Sequence, residues 1–190
     1  MSNDTVPAST DQPGSAYYMD HAPETIDRAT FSILVDNEPG VLHRVVGLFA
    51  ARGYNIESLT VAETDRRAHT SRITIVTSGT HDVLDQIRAQ LSKMVSAREV
   101  RDVTRDPLGV ERELALVKVR GTGAERVEAL RVSDIFRAKV IDTTHESFVF
   151  EVTGAPGKID KFVELMRPLG LVELSRTGVL SITRGGLDQA

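Results

Sequence analysis

Along this sequence the spacing of apolar residues switches between about 2, the period of a strand, and about 3.6, the period of a helix, and it passes through the same series of switches twice. In "TFSILVD" the residues Phe31, Ile33 and Val35 fall on one face of a strand. The stretch from Pro39 to Arg52 then lines up Val41, Leu42, Val45, Leu48 and Phe49 as the apolar stripe of a helix, with Gly53 placed to end it at positive φ. "NIESLTVAE" and "SRITIVTS" read as two strands joined by the polar turn "TDRRAH". Leu84, Ile87, Leu91 and Met94 stack on one side of a second helix, and "AREVRDVT" closes the series as a strand. The order is βαββαβ.

The second half repeats it as strand "ELALVKVRG", helix "AERVEALRVSDIF", strands "AKVIDTTH" and "SFVFEVTG", helix "GKIDKFVELMRPLG" and a single long strand "LVELSRTGVLSIT". Between the halves lies "RDPLGVER", where Pro107 and Gly109 break any regular element. This predicts an α+β chain of two tandem ferredoxin-like units, residues 28–105 and 113–186, joined by a linker at 106–112. Each unit is a four-stranded antiparallel sheet with both helices on one face. Leu34 and Val76 then point away from the helices, so the first sheet has an apolar second face. A second copy of the chain could cover that face, which predicts a dimer, or the two halves could cover each other within one chain.

Residues 1–27 differ from the rest. They are rich in Pro, Ser, Thr and Asp, carry five acids (Asp4, Asp11, Asp20, Glu24, Asp27) and have no Lys or Arg, and they are expected to be a disordered acidic tail. Without those acids the net charge of −4 becomes about +1, a poor match for a phosphate backbone, so nucleic acid is not an expected partner. The tail has neither the basic start and apolar centre of a secretion signal nor the arginines of a transit peptide, and no apolar run is long enough for a membrane-spanning helix. The protein is expected in the cytoplasm. Absence of cysteine removes disulfides, thiolate metal sites and cysteine nucleophiles together.

The stretch "VDNEPGVLHRVVGLFAARGYNIESLTV" concentrates unusual chemistry. A helix N-terminus has unpaired N–H groups and a partial positive charge, so it attracts carboxylates. Pro39 suits the first helical position, where its missing N–H costs nothing. Gly40, having no Cβ, would let a carboxylate approach the peptide groups of Gly40, Val41 and Leu42. Asn37 could fix a second group of the same ligand, and a free amino acid offers such a pair of groups on one carbon. The alternative is that Asp36, Asn37 and Pro39 simply cap the helix, the commoner use of such residues.

Taken whole, "DNEPGVLHRVVGLFAARGYNIESLTVAETD" resembles the opening of the regulatory, or small, subunits of acetohydroxyacid synthase (acetolactate synthase), which begin with an ACT domain. The likeness continues through "VERELALVKV", "IFRAKVID", "GAPGKIDKF" and "SRTGVLSITRG". The resemblance implies that the N-terminal unit is an ACT domain, that two copies pair through it, and that valine binds between them. Carried over by position, the effector site is Asn37, Gly40, Val41 and Leu42 of one chain facing Asn55 and Ile56 of its partner. The resemblance further implies a regulatory subunit without catalytic residues of its own. It would activate a catalytic subunit that uses thiamine diphosphate, Mg2+ and FAD, and would confer feedback inhibition by valine in branched-chain amino-acid synthesis.

Other features carry less. The five histidines (His21, His43, His69, His81, His145) have no metal-binding helical spacing. "RGTGAER" has Arg126 where a dinucleotide turn needs its third glycine, and "GAPGKID" has Ile159 where a phosphate loop needs Ser or Thr. An amino-acid sensor controlling transcription is the alternative reading, but no helix-turn-helix pattern supports it.

Overall fold

The computed structural model describes residues 25–185, so the expected tail lies outside the described residues except at its last positions. The first unit runs β1 (Asp27–Asp36), α1 (Val41–Ala50), β2 (Ser58–Asp65), β3 (Thr70–Gly79), α2 (His81–Ser92) and β4 (Ala97–Asp102). The second runs β5 (Gly109–Arg120), α3 (Gly123–Phe136), β6 (Lys139–Thr143), β7 (Ser147–Gly154), α4 (Pro156–Met166), β8 (Leu171–Arg176) and β9 (Leu180–Thr183). The sheet orders are β2-β3-β1-β4 and β6-β7-β5-β8, with every pairing antiparallel. In each sheet the first strand of the unit is central, flanked by the third and the fourth. Two ferredoxin-like units are therefore present, as the periodicity implied.

Each unit has its own core. Phe31, Ile33 and Val35 of β1 and Ile73 and Ile75 of β3 meet Val41, Val45 and Phe49 of α1 and Leu84, Ile87 and Leu91 of α2. In the second unit Val117, Val119, Phe148, Phe150 and Val152 meet Ile159, Phe162 and Met166 of α4, with Ala129 and Val132 of α3. Phe150 and Phe162 stand edge to face, a favoured aromatic geometry. The end of α1 follows the expected glycine stop. Gly53 has φ +68, its N–H and that of Tyr54 return to Ala50 and Phe49 carbonyls, and the Tyr54 ring meets Phe49 edge-on.

Two expectations change, and one left open is decided. The linker residues do not exclude regular structure, because β5 already begins at Gly109. A Cβ there would stand 2.3 Å from the Val103 carbonyl oxygen, so glycine permits the close approach that starts the strand. The final strand is two strands rather than one: Gly178, at φ +81, turns the chain after β8, and β9 returns to pair with residues 109–112 of β5. That gives the second sheet a fifth strand. On the outer face of the first sheet, where either a second copy or the chain's own second half was expected to cover the apolar residues, Val76 is 1% exposed. It lines a cleft together with Val179 of the second unit, and its strand partner Ser58 accepts a hydrogen bond from the Val179 N–H. The chain's own second half thus covers this part of the face, while Leu34 stays half-buried.

Candidate functional site

Between β1 and α1 the chain makes a tight turn, with the Glu38 N–H donating to the Asp36 carbonyl and the Val41 N–H to the Glu38 carbonyl. Helix α1 begins at Val41, and its N-cap is Gly40 at φ +84, ψ −1. Pro39 is therefore not the first helical residue. The turn needs a left-handed residue directly before the helix, which proline with φ near −65° cannot supply and glycine adopts freely. Space is not the reason for the glycine, since a Cβ at Gly40 would meet nothing within 4 Å.

No side chain caps α1. Asp36 instead accepts from Arg98 Nε at 2.6 Å, and the Asn37 side-chain amide donates to Glu63 Oε1 at 3.4 Å. The Asn37 backbone N–H is held by the His69 carbonyl at 2.7 Å. The β2–β3 turn is itself shaped by Asp65, whose Oδ1 accepts from the N–H groups of Arg67 and Ala68. These bonds pull the side chains of Asp36 and Asn37 sideways, so among the described residues the N–H groups of Gly40, Leu42 and His43 have no hydrogen-bond partner. Three free donors, on either side of the engaged Val41 N–H, thus lie at the positive end of a helix dipole, a place that favours negative charge.

The expected site residues fall into three settings. Asn37, Gly40 and Leu42 surround this exposed turn, Leu42 being 38% exposed. Val41 is buried in the first core, and its N–H is already used by Glu38. Asn55 and Ile56 lie beyond the far end of α1: Asn55 is exposed, with its carbonyl accepting from Thr77 Oγ1 at 2.6 Å, while Ile56 is half-buried against the core. Asn37 is tied to His69, just before β3, and Asn55 to Thr77 near the other end of that strand; Thr70 and Thr77 alone are seven residues apart, about 23 Å at strand rise. One chain does not bring the two asparagines together.

Sequence reasoning missed Glu63 and Arg98. The polar turn "TDRRAH" was legible, but nothing in its spacing says that the strand ends beside it meet the β1–α1 loop.

Residues 31–99 match the family model described as the AHAS small subunit-like ACT domain, and residues 112–185 match that of the small subunit of acetolactate synthase. The probable acetolactate synthase small subunit of Archaeoglobus fulgidus is 45% identical over 82% of this chain and 96% of its own length. This chain belongs to the acetolactate synthase small-subunit family. The isozyme 3 small subunit of Escherichia coli is 44% identical over 83% of this chain and 96% of its own. The crystal structure of the acetolactate synthase small subunit from Thermotoga maritima superposes with a TM-score of 0.72 at 37% identity, covering 85% of this chain and 99% of that one. The first unit is accordingly an ACT domain, and membership in the small-subunit family gives the chain a catalytic acetolactate synthase subunit as its partner. Among the described residues no helix is long and apolar enough to cross a membrane, and no cluster of His, Asp or Glu is placed to hold a metal ion.

Proposed function

We propose that this small subunit activates a thiamine-diphosphate-dependent catalytic subunit in the cytoplasm and lets valine inhibit it. In this reading valine binds between the ACT domains of two copies. Its carboxylate rests on the free N–H groups at the start of α1, beside the Asn37 amide, and its isopropyl group packs against Leu42. The partner contributes Asn55 and Ile56. The anchoring of the two asparagines toward opposite ends of β3 in one chain is why two chains are required.

The observation that carries the reading is the uncapped N-terminus of α1, left open because Arg98 and Glu63 occupy the side chains that could have closed it. Capping, the competing account of Asn37, has no hydrogen bond to support it. The transcription-sensor alternative has no observation in its favour, and the relatives named above are acetolactate synthase small subunits.

The test is to mix the chain with its catalytic subunit, follow acetolactate formation and titrate valine. Stimulation by the chain followed by inhibition as valine rises is the expected result. Stimulation that valine leaves unchanged would remove the effector from the proposal.

A further inference from the structure

The two units touch where the β8–β9 turn sits on β2. Val179 N–H donates to Ser58 Oγ at 3.1 Å, and Thr60 Oγ1 donates to the Thr177 carbonyl at 3.4 Å. Gly178 lies between them at φ +81, and a Cβ on it would stand 2.6 Å from Ser58 Oγ and 2.8 Å from Thr60 Oγ1. Val179 is buried at this seam. A turn of the second unit is thus pressed onto two hydroxyls of the first, with glycine as the residue that fits.

Position in the chain gives this contact its meaning. Ser58 opens β2 two residues after Ile56, and Glu57 between them ties to β3 through its N–H on the Val76 carbonyl. β2 is an edge strand, paired with β3 alone, so its start is not held from both sides. The turn above it leads into β9, a strand of four residues paired only with β5. Both partners of the contact therefore sit on or beside edge strands of their sheets.

Beside Leu59 and Val76, the seam carries polar groups that are incompletely paired. Arg28 Nη1 reaches Glu111 Oε2 at 3.4 Å, yet Thr30 Oγ1, Glu111 Oε1 and Ser181 Oγ are buried without hydrogen-bond partners. Glu111 and Ser181 face each other across β5 and β9, and β9 packs against β1, which carries Thr30. An interface of this kind gains little from one fixed arrangement, and polar contacts between domains commonly permit relative motion.

We infer that Ser58 and Gly178 form a latch through which the state of the Asn55–Ile56 segment positions the second unit. The inference rests on the effector reading above. A ligand that draws in residues 55–56 shifts Ser58, and Ser58 moves the β8–β9 turn. Ser58 and Gly178 are positioning residues: they touch no effector, and they couple its binding to the subunit's response.

The experiment compares the parent chain with Ser58→Ala and Gly178→Ala, each in complex with the catalytic subunit, by valine calorimetry and by inhibition at saturating valine. Both variants are expected to bind valine within about twofold of the parent and to activate the enzyme normally, while the fall in kcat that saturating valine produces in the parent complex disappears. A purely structural role would not separate binding from inhibition. Ser58→Ala removes one hydroxyl and keeps the test decisive if Gly178→Ala does not fold. Variants inhibited as strongly as a valine-binding parent, or variants that lose valine affinity outright, overturn the latch. A parent that binds no valine overturns the effector reading, and the latch with it.

Discussion

Arg176 holds the carboxylate of Glu113 with two nitrogens at once, Nε donating to Oε1 at 2.6 Å and Nη2 to Oε2, while Nη1 donates to Asp160. The two partners differ in access to water, since the Glu113 side chain is 3% exposed and that of Arg176 33%. Removing Arg176 leaves a buried anion without a counter-charge, whereas removing the Glu113 charge leaves a cation that still has Asp160 and solvent. Arg176→Met is therefore expected to cost toward about 3 kcal/mol, the lower end for breaking a buried pair. Glu113→Gln is expected to cost about 1.5 kcal/mol. Urea unfolding of both variants measures the difference, and equal losses would show that Glu113 is hydrated in solution.

Gly40 separates backbone strain from ligand exclusion. With open space around its Cβ position, Gly40→Ala suffers only from φ +84, a penalty of about 1–2 kcal/mol. Asp tolerates that region better than most residues, so Gly40→Asp should fold and still activate the catalytic subunit. Its carboxylate would occupy the place meant for valine's, and inhibition is expected to vanish. Inhibition equal to the parent's would exclude the α1 N-terminus as the effector site.

Asn37→Ala is a gentler probe of the same place. Losing a hydrogen bond to a charged ligand group should weaken valine binding by about 1.5–3 kcal/mol, roughly tenfold to over a hundredfold. Calorimetry on the purified chain reads this directly. An unchanged affinity would leave Asn37 with only its bond to Glu63.

Phe162 is fully buried between Phe136 and Phe150. Phe162→Ala leaves a cavity in the second core and is expected to cost about 3–5 kcal/mol. Because the first unit has a separate core, its thermal transition should move less than that of the second, which differential scanning calorimetry resolves.

Asp85 is held below its ordinary value of 3.8, first by the hydrogen bond from Arg105, whose Nη1 lies 2.6 Å from Oδ1. A carboxylate lowered by folding contributes stability that is present above its unfolded pKa and lost as pH falls through the folded one. Asp85→Asn should melt slightly below the parent at neutral pH and together with it well below pH 3.8. Arg176 is shifted the other way, raised by Glu113, so its contribution persists across the neutral and mildly alkaline range. A parent–variant gap at Asp85 that widened in acid would contradict the sign.

The order βαββαβ, its repetition and the core residues of both units were legible from Phe31 to Met166, because strand and helix periods are set by side chains a few positions apart. The glycine turn before α1 was legible as a place where donors gather. Its use of Gly40 rather than Pro39 as the cap was not, since that depends on a φ angle imposed by how β1 delivers the chain to the helix. Asp36 and Asn37 looked like caps until Arg98 and Glu63, distant in sequence, were found beside them. The split of the last strand followed from Gly178 at positive φ, which a string of alternating residues does not reveal.

By itself the amino-acid sequence determined the elements, their order and which face of each is apolar, since these follow from local periodicity and backbone preference. Only the tertiary structure decided what covers Val76, how the β8–β9 turn seats on Ser58, and that Asn37 and Asn55 are anchored toward opposite ends of β3. Those outcomes depend on contacts between residues far apart in the chain, where closeness is set by packing the two units together and leaves no mark on neighbouring letters.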